Sequence, residues 1–100
     1  MKLNAYCVYD SKSLSYGMPM FINAVGAAIR AFTDVANEEG SAICKHPSDY
    51  VLYEIGYFDD STGVFTMHSP VKNLGNASEY KKVAKAPVVY QPAAAEPSKK

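Results

Sequence analysis

Hydrophobic positions cluster in four segments of the chain, and their spacing predicts a strand, a helix and two further strands. Residues 3–9 form a short apolar run that ends in the turn-like sequence Asp10-Ser11-Lys12-Ser13. In a strand, the run would place apolar side chains on both faces: Leu3, Ala5, Cys7 and Tyr9 on one, Tyr6 and Val8 on the other. We therefore expect this strand to be covered on both sides.

Apolar residues at three- and four-residue spacing predict one amphipathic helix after the connector that contains Gly17 and Pro19. The predicted buried stripe consists of Phe21 at the entry, Val25, Ile29, Phe32 and Ala36. Asn23 is a suitable N-cap residue. The helix is expected to end within residues 37–40, where Gly40 suits a left-handed cap.

The next apolar segments predict a β-hairpin. Residues 50–58 alternate with period two, residues 64–67 form a second run, and the loop between them ends in Gly63, where a positive φ is expected. Gly56 interrupts the first run and predicts a bulge that brings Phe58 onto the core face.

These elements predict an α+β fold, a small β-α-β-β sheet with one packed helix. A crossover helix implies that the first two strands, if they are adjacent, run parallel, whereas the last two pair antiparallel. One helix covers only one face of the sheet, so a second layer is expected. That layer is either the segment from Leu74 to Tyr80 or another copy of the protein, and we favour a homodimer or higher homo-oligomer.

The formal net charge of zero conceals an uneven distribution of charge. Residues 1–68 hold four basic and eight acidic side chains, whereas residues 69–100 hold six lysines and two glutamates. We predict an α+β domain over residues 1–80 and a flexible Lys/Ala/Pro-rich tail over residues 81–100. The tail either binds a polyanion or another copy of the protein, or only increases solubility.

Length and composition exclude several classes of protein. One hundred residues is the size of a single domain, and no apolar run approaches the roughly 20 residues that span a bilayer. The N-terminal residues lack the apolar stretch of a signal peptide, so we expect a cytosolic protein whose Cys7 and Cys44 are free thiols.

Candidate catalytic and metal-binding motifs are weak. The chain has no glycine-rich phosphate loop, no paired-cysteine zinc motif and no His-Glu-x-x-His sequence. Cys44 and His46 could contribute two metal ligands, with Cys7 and His68 as distant candidates, but a Cys-x-His pair alone is usually part of a loop. The pair Asp59-Asp60 is better explained by turn formation. We therefore predict no catalytic residue, no metal and no cofactor, and expect a protein that is not an enzyme.

Tyrosine is abundant, with eight residues and no tryptophan. Tyrosines exposed on a sheet could stack on the bases of a single strand while lysines hold the phosphates. The alternative is that Tyr6, Tyr9, Tyr53 and Tyr57 belong to the core or to a subunit interface. The acidic charge of residues 1–68 disfavours broad contact with nucleic acid outside the tail.

Five segments in this order give the chain a family resemblance: Val8-Tyr9-Asp10-Ser11-Lys12, Ala28-Ile29-Arg30-Ala31-Phe32, His46-Pro47-Ser48-Asp49-Tyr50, Leu52-Tyr53-Glu54-Ile55-Gly56-Tyr57-Phe58-Asp59-Asp60 and Thr62-Gly63. Over residues 1 to about 80 the chain resembles the small non-structural proteins of gokushoviruses. Gokushoviruses are Microviridae, bacteriophages with a single-stranded DNA genome. The resemblance implies a phage DNA-binding or non-structural protein that helps to switch replication from the duplex intermediate to single-stranded genome synthesis.

We therefore expect a non-catalytic single-stranded-DNA-binding accessory factor in the host bacterial cytoplasm. The candidate DNA-binding residues are Arg30, Tyr57, Lys72, Lys81, Lys82, Lys85, Lys99 and Lys100. The alternative is an oligomeric interaction module that binds a host or phage replication protein without touching DNA. An enzyme is the third class considered, and no constellation of residues supports it.

Overall fold

An antiparallel sheet of five strands carries one long helix and two short ones in the computed structural model, which describes residues 1–82. The strands are β1 (Lys2–Asp10), β2 (Ser15–Tyr16), β3 (Met20–Ile22), β4 (Tyr50–Asp59) and β5 (Val64–Asn76). The helices are α1 (Val25–Ala36), α2 (Ala42–Lys45) and α3 (Ala77–Tyr80), with a 3₁₀ turn at Pro47–Asp49. The predicted α+β class is confirmed. None of the helices in residues 1–82 has the length and apolar character needed to cross a membrane.

The order of the strands corrects the predicted topology. β1 lies beside β4, but the two run antiparallel, with Lys2 opposite Asp59 and Asp10 opposite Tyr50. The prediction of a parallel pair was wrong because the chain reverses before the helix. β3, which the hydrophobic pattern did not predict, pairs antiparallel with the free edge of β1 and ends opposite Asn4. The helix therefore starts near the beginning of β1, and the chain after it returns to the end of β1, where β4 begins opposite Asp10.

The predicted hairpin is confirmed, although its second strand is much longer than expected. β4 and β5 pair antiparallel, and β5 continues past Met67 to Asn76. The turn between them has Gly63 at φ +75°, as predicted. The Asp59 carboxylate accepts a hydrogen bond of 2.9 Å from the Ser61 amide, which lowers the pKa of Asp59 below its ordinary value.

The helix agrees with the prediction in position but not in its caps. Ala24 occupies the N-cap and makes no side-chain hydrogen bond to the helix, so the prediction of Asn23 as the cap was wrong. The C-cap is Asn37, whose side-chain amide donates to the carbonyls of Thr33 at 2.8 Å and Tyr80 at 3.1 Å. Gly40 has the predicted positive φ of +95°, but it lies in the turn that follows the helix.

The hydrophobic core lies between α1, α3 and one face of the sheet. Its buried members are Tyr6, Ala28, Phe32, Ala36, Leu52 and Ala77. The segment Leu74–Tyr80 belongs to this same core, since the Tyr80 ring lies 5.9 Å from that of Phe32 and its hydroxyl donates to the Leu74 carbonyl. The segment is therefore not a second layer on the opposite face. At the other end of the stripe, Val25 is 43% exposed, and Phe21 lies in β3 on the opposite face of the sheet and is 48% exposed, so the prediction that both join the buried stripe was wrong.

The predicted bulge is present in β4. Ala5 lies opposite Gly56 and Tyr6 opposite Glu54, so Ile55 is the extra residue. The bulge moves Phe58 to the side of Val51 and Tyr53, as expected from the sequence. However, that side faces away from the helix, because Leu52 and not its neighbours enters the core. The prediction that Phe58 joins the core was wrong.

Gly56 provides a first test of this arrangement. A Cβ atom at this position would come within 2.1 Å of the Thr66 carbonyl oxygen, which belongs to the paired strand. We expect Gly56→Ala to lower the free energy of unfolding by about 3 kcal/mol, measured by urea denaturation. Gly26→Ala is the control, because a Cβ there meets nothing within 4 Å, and it should leave stability unchanged or raise it by up to about 1 kcal/mol. Equal effects of the two variants would contradict the bulge geometry.

Tyr6 provides a second test. Its side chain is fully buried, and its hydroxyl has no hydrogen-bond partner among the described residues. Burial raises the pKa of this phenol, and the nearby Glu54 carboxylate raises it further. Because an unsatisfied buried hydroxyl is unfavourable, Tyr6→Phe should raise the free energy of unfolding by about 1 kcal/mol.

Tyr80→Phe is the matched comparison, because its hydroxyl donates to the Leu74 carbonyl at 2.6 Å. Loss of that bond should cost about 1 kcal/mol. A clear loss of stability in Tyr6→Phe would show that the hydroxyl is bonded to Asn4 or Glu54 after all.

Candidate nucleic-acid interface

The helix-bearing face of the sheet divides into a covered end and an open end. The core residues from β4 and β5 are Tyr50, Leu52 and Leu74, which lie far from the turn that joins these strands. Near that turn, the same face carries polar and aromatic side chains. We call this open end the polar surface and define it by Lys2, Glu54, Tyr57, His68 and Lys72.

An aromatic ring with a cation above it lies at the centre of the polar surface. The Lys2 ammonium is 4.8 Å from the centroid of the Tyr57 ring, a distance typical of a cation–π contact. The His68 ring lies next to Tyr57, with centroids 6.3 Å apart and planes inclined by 54°. The register produces this group, because β1 and β5 lie on either side of β4.

Glu54 carries the negative charge among the five residues of the polar surface and has two basic neighbours, and Asp59, opposite Lys2, adds a second carboxylate to the same face. Its carboxylate lies 2.7 Å from Nε2 of His68 and 3.7 Å from the Lys72 ammonium. Only 12% of the Glu54 side chain is exposed, compared with 62% for Lys72. Because an exposed ion pair contributes little to stability, the Lys72 ammonium remains available to an anionic ligand in solvent.

Two of the residues predicted from sequence to bind DNA, Tyr57 and Lys72, lie on the same face. A chain of contacts connects them: His68 lies beside Tyr57, and Glu54 lies beside both His68 and Lys72. Arg30 is exposed on α1 and belongs to a different element. Lys2 and His68 are part of the surface but were missed. Their spacing along the chain carries no signal, and only the strand register shows that they lie beside Tyr57.

The other predicted lysines are placed differently. The Lys81 ammonium donates to the Cys44 carbonyl at 2.8 Å, so this side chain holds the end of α3 against α2. Lys82 is exposed, and its backbone amide donates to Oδ1 of Asn37 at 2.6 Å. Lys85, Lys99 and Lys100 lie outside the described residues, as does most of the predicted tail.

The side chains considered for metal or thiol chemistry are dispersed. Cys7 is buried in the sheet, Cys44 is half-buried in α2, and both are free thiols. Burial raises the pKa of the Cys7 thiol, which disfavours the reactive thiolate. Within residues 1–82, no three His, Cys, Asp or Glu side chains come together in a way that could hold a metal ion.

The opposite face of the sheet has a different character. We call it the uncharged face, and its larger side chains are Leu3, Cys7, Tyr9, Tyr16, Phe21, Val51, Tyr53, Ile55, Phe58, Phe65, Met67 and Val71. Tyr9, Tyr16 and Tyr53 form one aromatic group, with centroids 4.8 to 6.3 Å apart. Phe21 contacts Phe58 and Phe65 in a second group. Tyr9 and Tyr53 are therefore sheet-face residues, whereas Tyr6 belongs to the core.

Comparison with known proteins identifies the family. A family model described as Phage ORF5 protein matches residues 3–80. Protein ORF5 of Chlamydia phage 1 is 33% identical over 85 residues, which cover 80% of this chain and 88% of the relative. No solved structure matches the chain. The resemblance to gokushovirus proteins is confirmed, and the chain belongs to the phage ORF5 protein family.

Proposed function

We propose that the protein is a non-catalytic, single-stranded-DNA-binding accessory factor of a Microviridae phage. It acts in the host bacterial cytoplasm, in the switch from duplex replication to single-stranded genome synthesis that the family resemblance implies. The observation that carries the DNA-binding part is the polar surface, where the Lys2 ammonium lies over the Tyr57 ring and Lys72 lies on the same face beside Glu54. Stacking rings combined with lysines are the usual means of binding single strands without sequence preference.

The Tyr57 ring can exchange its cation for a base. Lys2 lies over the ring, and a cation–π contact at an exposed site contributes about 0.5–1 kcal/mol. Stacking of a base on an aromatic side chain contributes about 1–3 kcal/mol. A base is therefore able to displace the Lys2 ammonium from the ring, and the flexible lysine can then contact the adjacent phosphate.

Charge limits the affinity of the polar surface. Residues 1–68 hold eight acidic and four basic side chains, so the domain as a whole repels a polyanion. The lysines among residues 69–100 offset this balance, so that the formal net charge of the full chain is zero, and they supply additional phosphate contacts. Binding is therefore expected to depend on both the polar surface and the C-terminal lysines, and to weaken steeply with salt.

Substitution of Tyr57 tests the stacking contact. Tyr57→Leu in the full chain should weaken binding to an oligothymidine of about 20 nucleotides by about fivefold or more, measured by fluorescence anisotropy. Tyr57→Phe is the control, because it keeps the ring and should bind with nearly unchanged affinity. Equal affinity of the Leu and Phe variants would exclude stacking on this residue.

Substitution of lysines tests the phosphate contacts. Lys72→Gln should reduce the slope of log K against log salt by about 0.7, whereas the exposed turn residue Lys12 should tolerate the same change. The triple variant Lys85→Gln, Lys99→Gln, Lys100→Gln should reduce the slope by up to about 2. If Lys12→Gln and Lys72→Gln behave alike, the interaction is not located at the polar surface.

The second candidate function is an interaction module that binds a host or phage replication protein without touching DNA. The acidic balance of residues 1–68 favours it, because such a surface suits a basic protein better than a nucleic acid. It predicts no salt-dependent binding to the oligonucleotide and recovery of a replication protein from infected cells. Tight binding to bare single-stranded DNA would count against it.

A further inference from the structure

All charged side chains of the sheet lie on the helix-bearing face. In β1 and β4 they are Lys2, Asp10, Glu54 and Asp59, and Lys2 stands directly opposite Asp59. In β5 the charged residue is Lys72, and His68 lies on the same face, so that both are beside Glu54. Residues directly opposite each other on paired strands share a face, and successive side chains of a strand point to alternate faces. The register therefore places every charged residue of the strands on the helix-bearing face and none on the uncharged face. The exposed apolar side chains on such a surface favour contact with protein.

The described domain also has a thin core. Eight hydrophobic residues are buried, and four of them are alanines. Tyr6 and Leu52 are the largest side chains that are fully buried. A small domain with free thiols and so little buried volume commonly gains stability by association. Four of the five large hydrophobic side chains that are exposed on the strands lie on the uncharged face, namely Tyr16, Phe21, Phe65 and Met67.

The size of this face matches what a stable dimer needs. The sheet has three strand positions of at least nine residues, β1, β4 and β5, and an edge position of five residues, formed by β2 and β3. At a spacing of about 4.8 Å, they form a plane of roughly 500 Å². Two such planes in contact would remove roughly 1,000 Å² from solvent before the relief of the side chains is counted, which reaches the roughly 1,000 Å² expected of a biological interface.

The shape and charge of the face favour a second copy over other occupants. Two shallow concavities, of about 330 Å³ beside Phe21 and about 380 Å³ beside Cys7, adjoin protruding side chains such as Met67 and Tyr16. A surface with both hollows and protrusions can interdigitate with its own copy. Because it carries no charge, it neither repels that copy nor attracts a polyanion.

We infer that two copies of this chain pack through their uncharged faces, related by a two-fold axis, to form a sheet-on-sheet dimer. The two polar surfaces then lie on opposite outer sides. If the proposed DNA binding holds, the dimer is bivalent, and one strand or two can be bound at the same time. Dimer formation itself does not rest on that function.

The experiment compares two substitutions on one strand of the full chain. Met67 lies on the uncharged face and is 55% exposed, whereas Val64 lies on the helix-bearing face opposite Asp59 and is 56% exposed. Sedimentation equilibrium should give the wild-type protein about twice the 10.9 kDa chain mass. Met67→Lys should raise the dimer dissociation constant by about 100-fold or more, because the symmetric interface would bury two unpaired ammonium groups. Val64→Lys should leave it within about threefold, because its ammonium points to solvent beside a carboxylate.

Two further measurements make the result decisive. Circular dichroism establishes that both variants remain folded. The melting temperature of the wild-type protein should rise with protein concentration between about 1 and about 100 µM, as mass action requires of a dimer. A monomeric wild-type protein at the upper concentration would overturn the inference. So would an oligomer that Met67→Lys leaves intact, or one that Val64→Lys dissociates equally. None of these readouts involves DNA, so a failure of the dimer is distinct from a failure of DNA binding.

Discussion

Ile55 is the extra residue of β4, and the bulge that it forms determines which side of the sheet each later side chain of that strand occupies. A shift of one residue exchanges the two faces of a strand. Before the bulge, Leu52 points to the helix; after it, Tyr57 lies on the helix-bearing side and Phe58 on the opposite side. Without the bulge, the phenylalanine would lie among charged residues and the tyrosine among apolar ones. Gly56 makes the bulge possible, because the Thr66 carbonyl occupies the space of a side chain.

The boundary between the core and the polar surface passes through Tyr6. Its ring is enclosed by the core, while its hydroxyl approaches the carboxylate of Glu54. Glu54 in turn is held by His68 and lies near Lys72, so the polar groups at this boundary are organised around one half-buried carboxylate. The cost of burying that carboxylate is reduced by its basic neighbours. Lys72 is also one of the two lysines of the polar surface, together with Lys2.

Much of the fold could be predicted from the sequence because the long elements repeat their pattern over many residues. The helix and the first strand of the hairpin have clear periods, and β1 is marked by a continuous apolar run. β2 and β3 have two and three residues, too few for any period to be visible, and β3 is the strand that reverses the chain. Because β3 was not predicted, the first two long strands, β1 and β4, were predicted to be parallel. The C-cap could not be predicted for a similar reason. Asn37 occupies it, and this residue is held by hydrogen bonds to Tyr80 and Lys82, which are distant in sequence.

The candidate site was less predictable than the fold, because it depends on register. Tyr57 and Lys72 were selected from composition, and they share a face only because β4 and β5 pair with two shifts of register. Lys2 joins them from the other neighbouring strand. Lys81 shows the opposite case, since a residue that seemed part of a basic tail is bonded to the Cys44 carbonyl.

The separation of charge between the two faces connects the two proposals. A sheet that bound DNA with the same face through which it dimerised would have to choose between the two partners. Here the lysines, the histidine and Tyr57 lie on one side, and the side without charge lies on the other. Dimer formation would therefore leave the polar surface accessible, and the hydrophobic energy of association would not compete with electrostatic binding. The bulge in β4 maintains this separation, because it determines that Tyr57 faces the charged side and Phe58 the uncharged side.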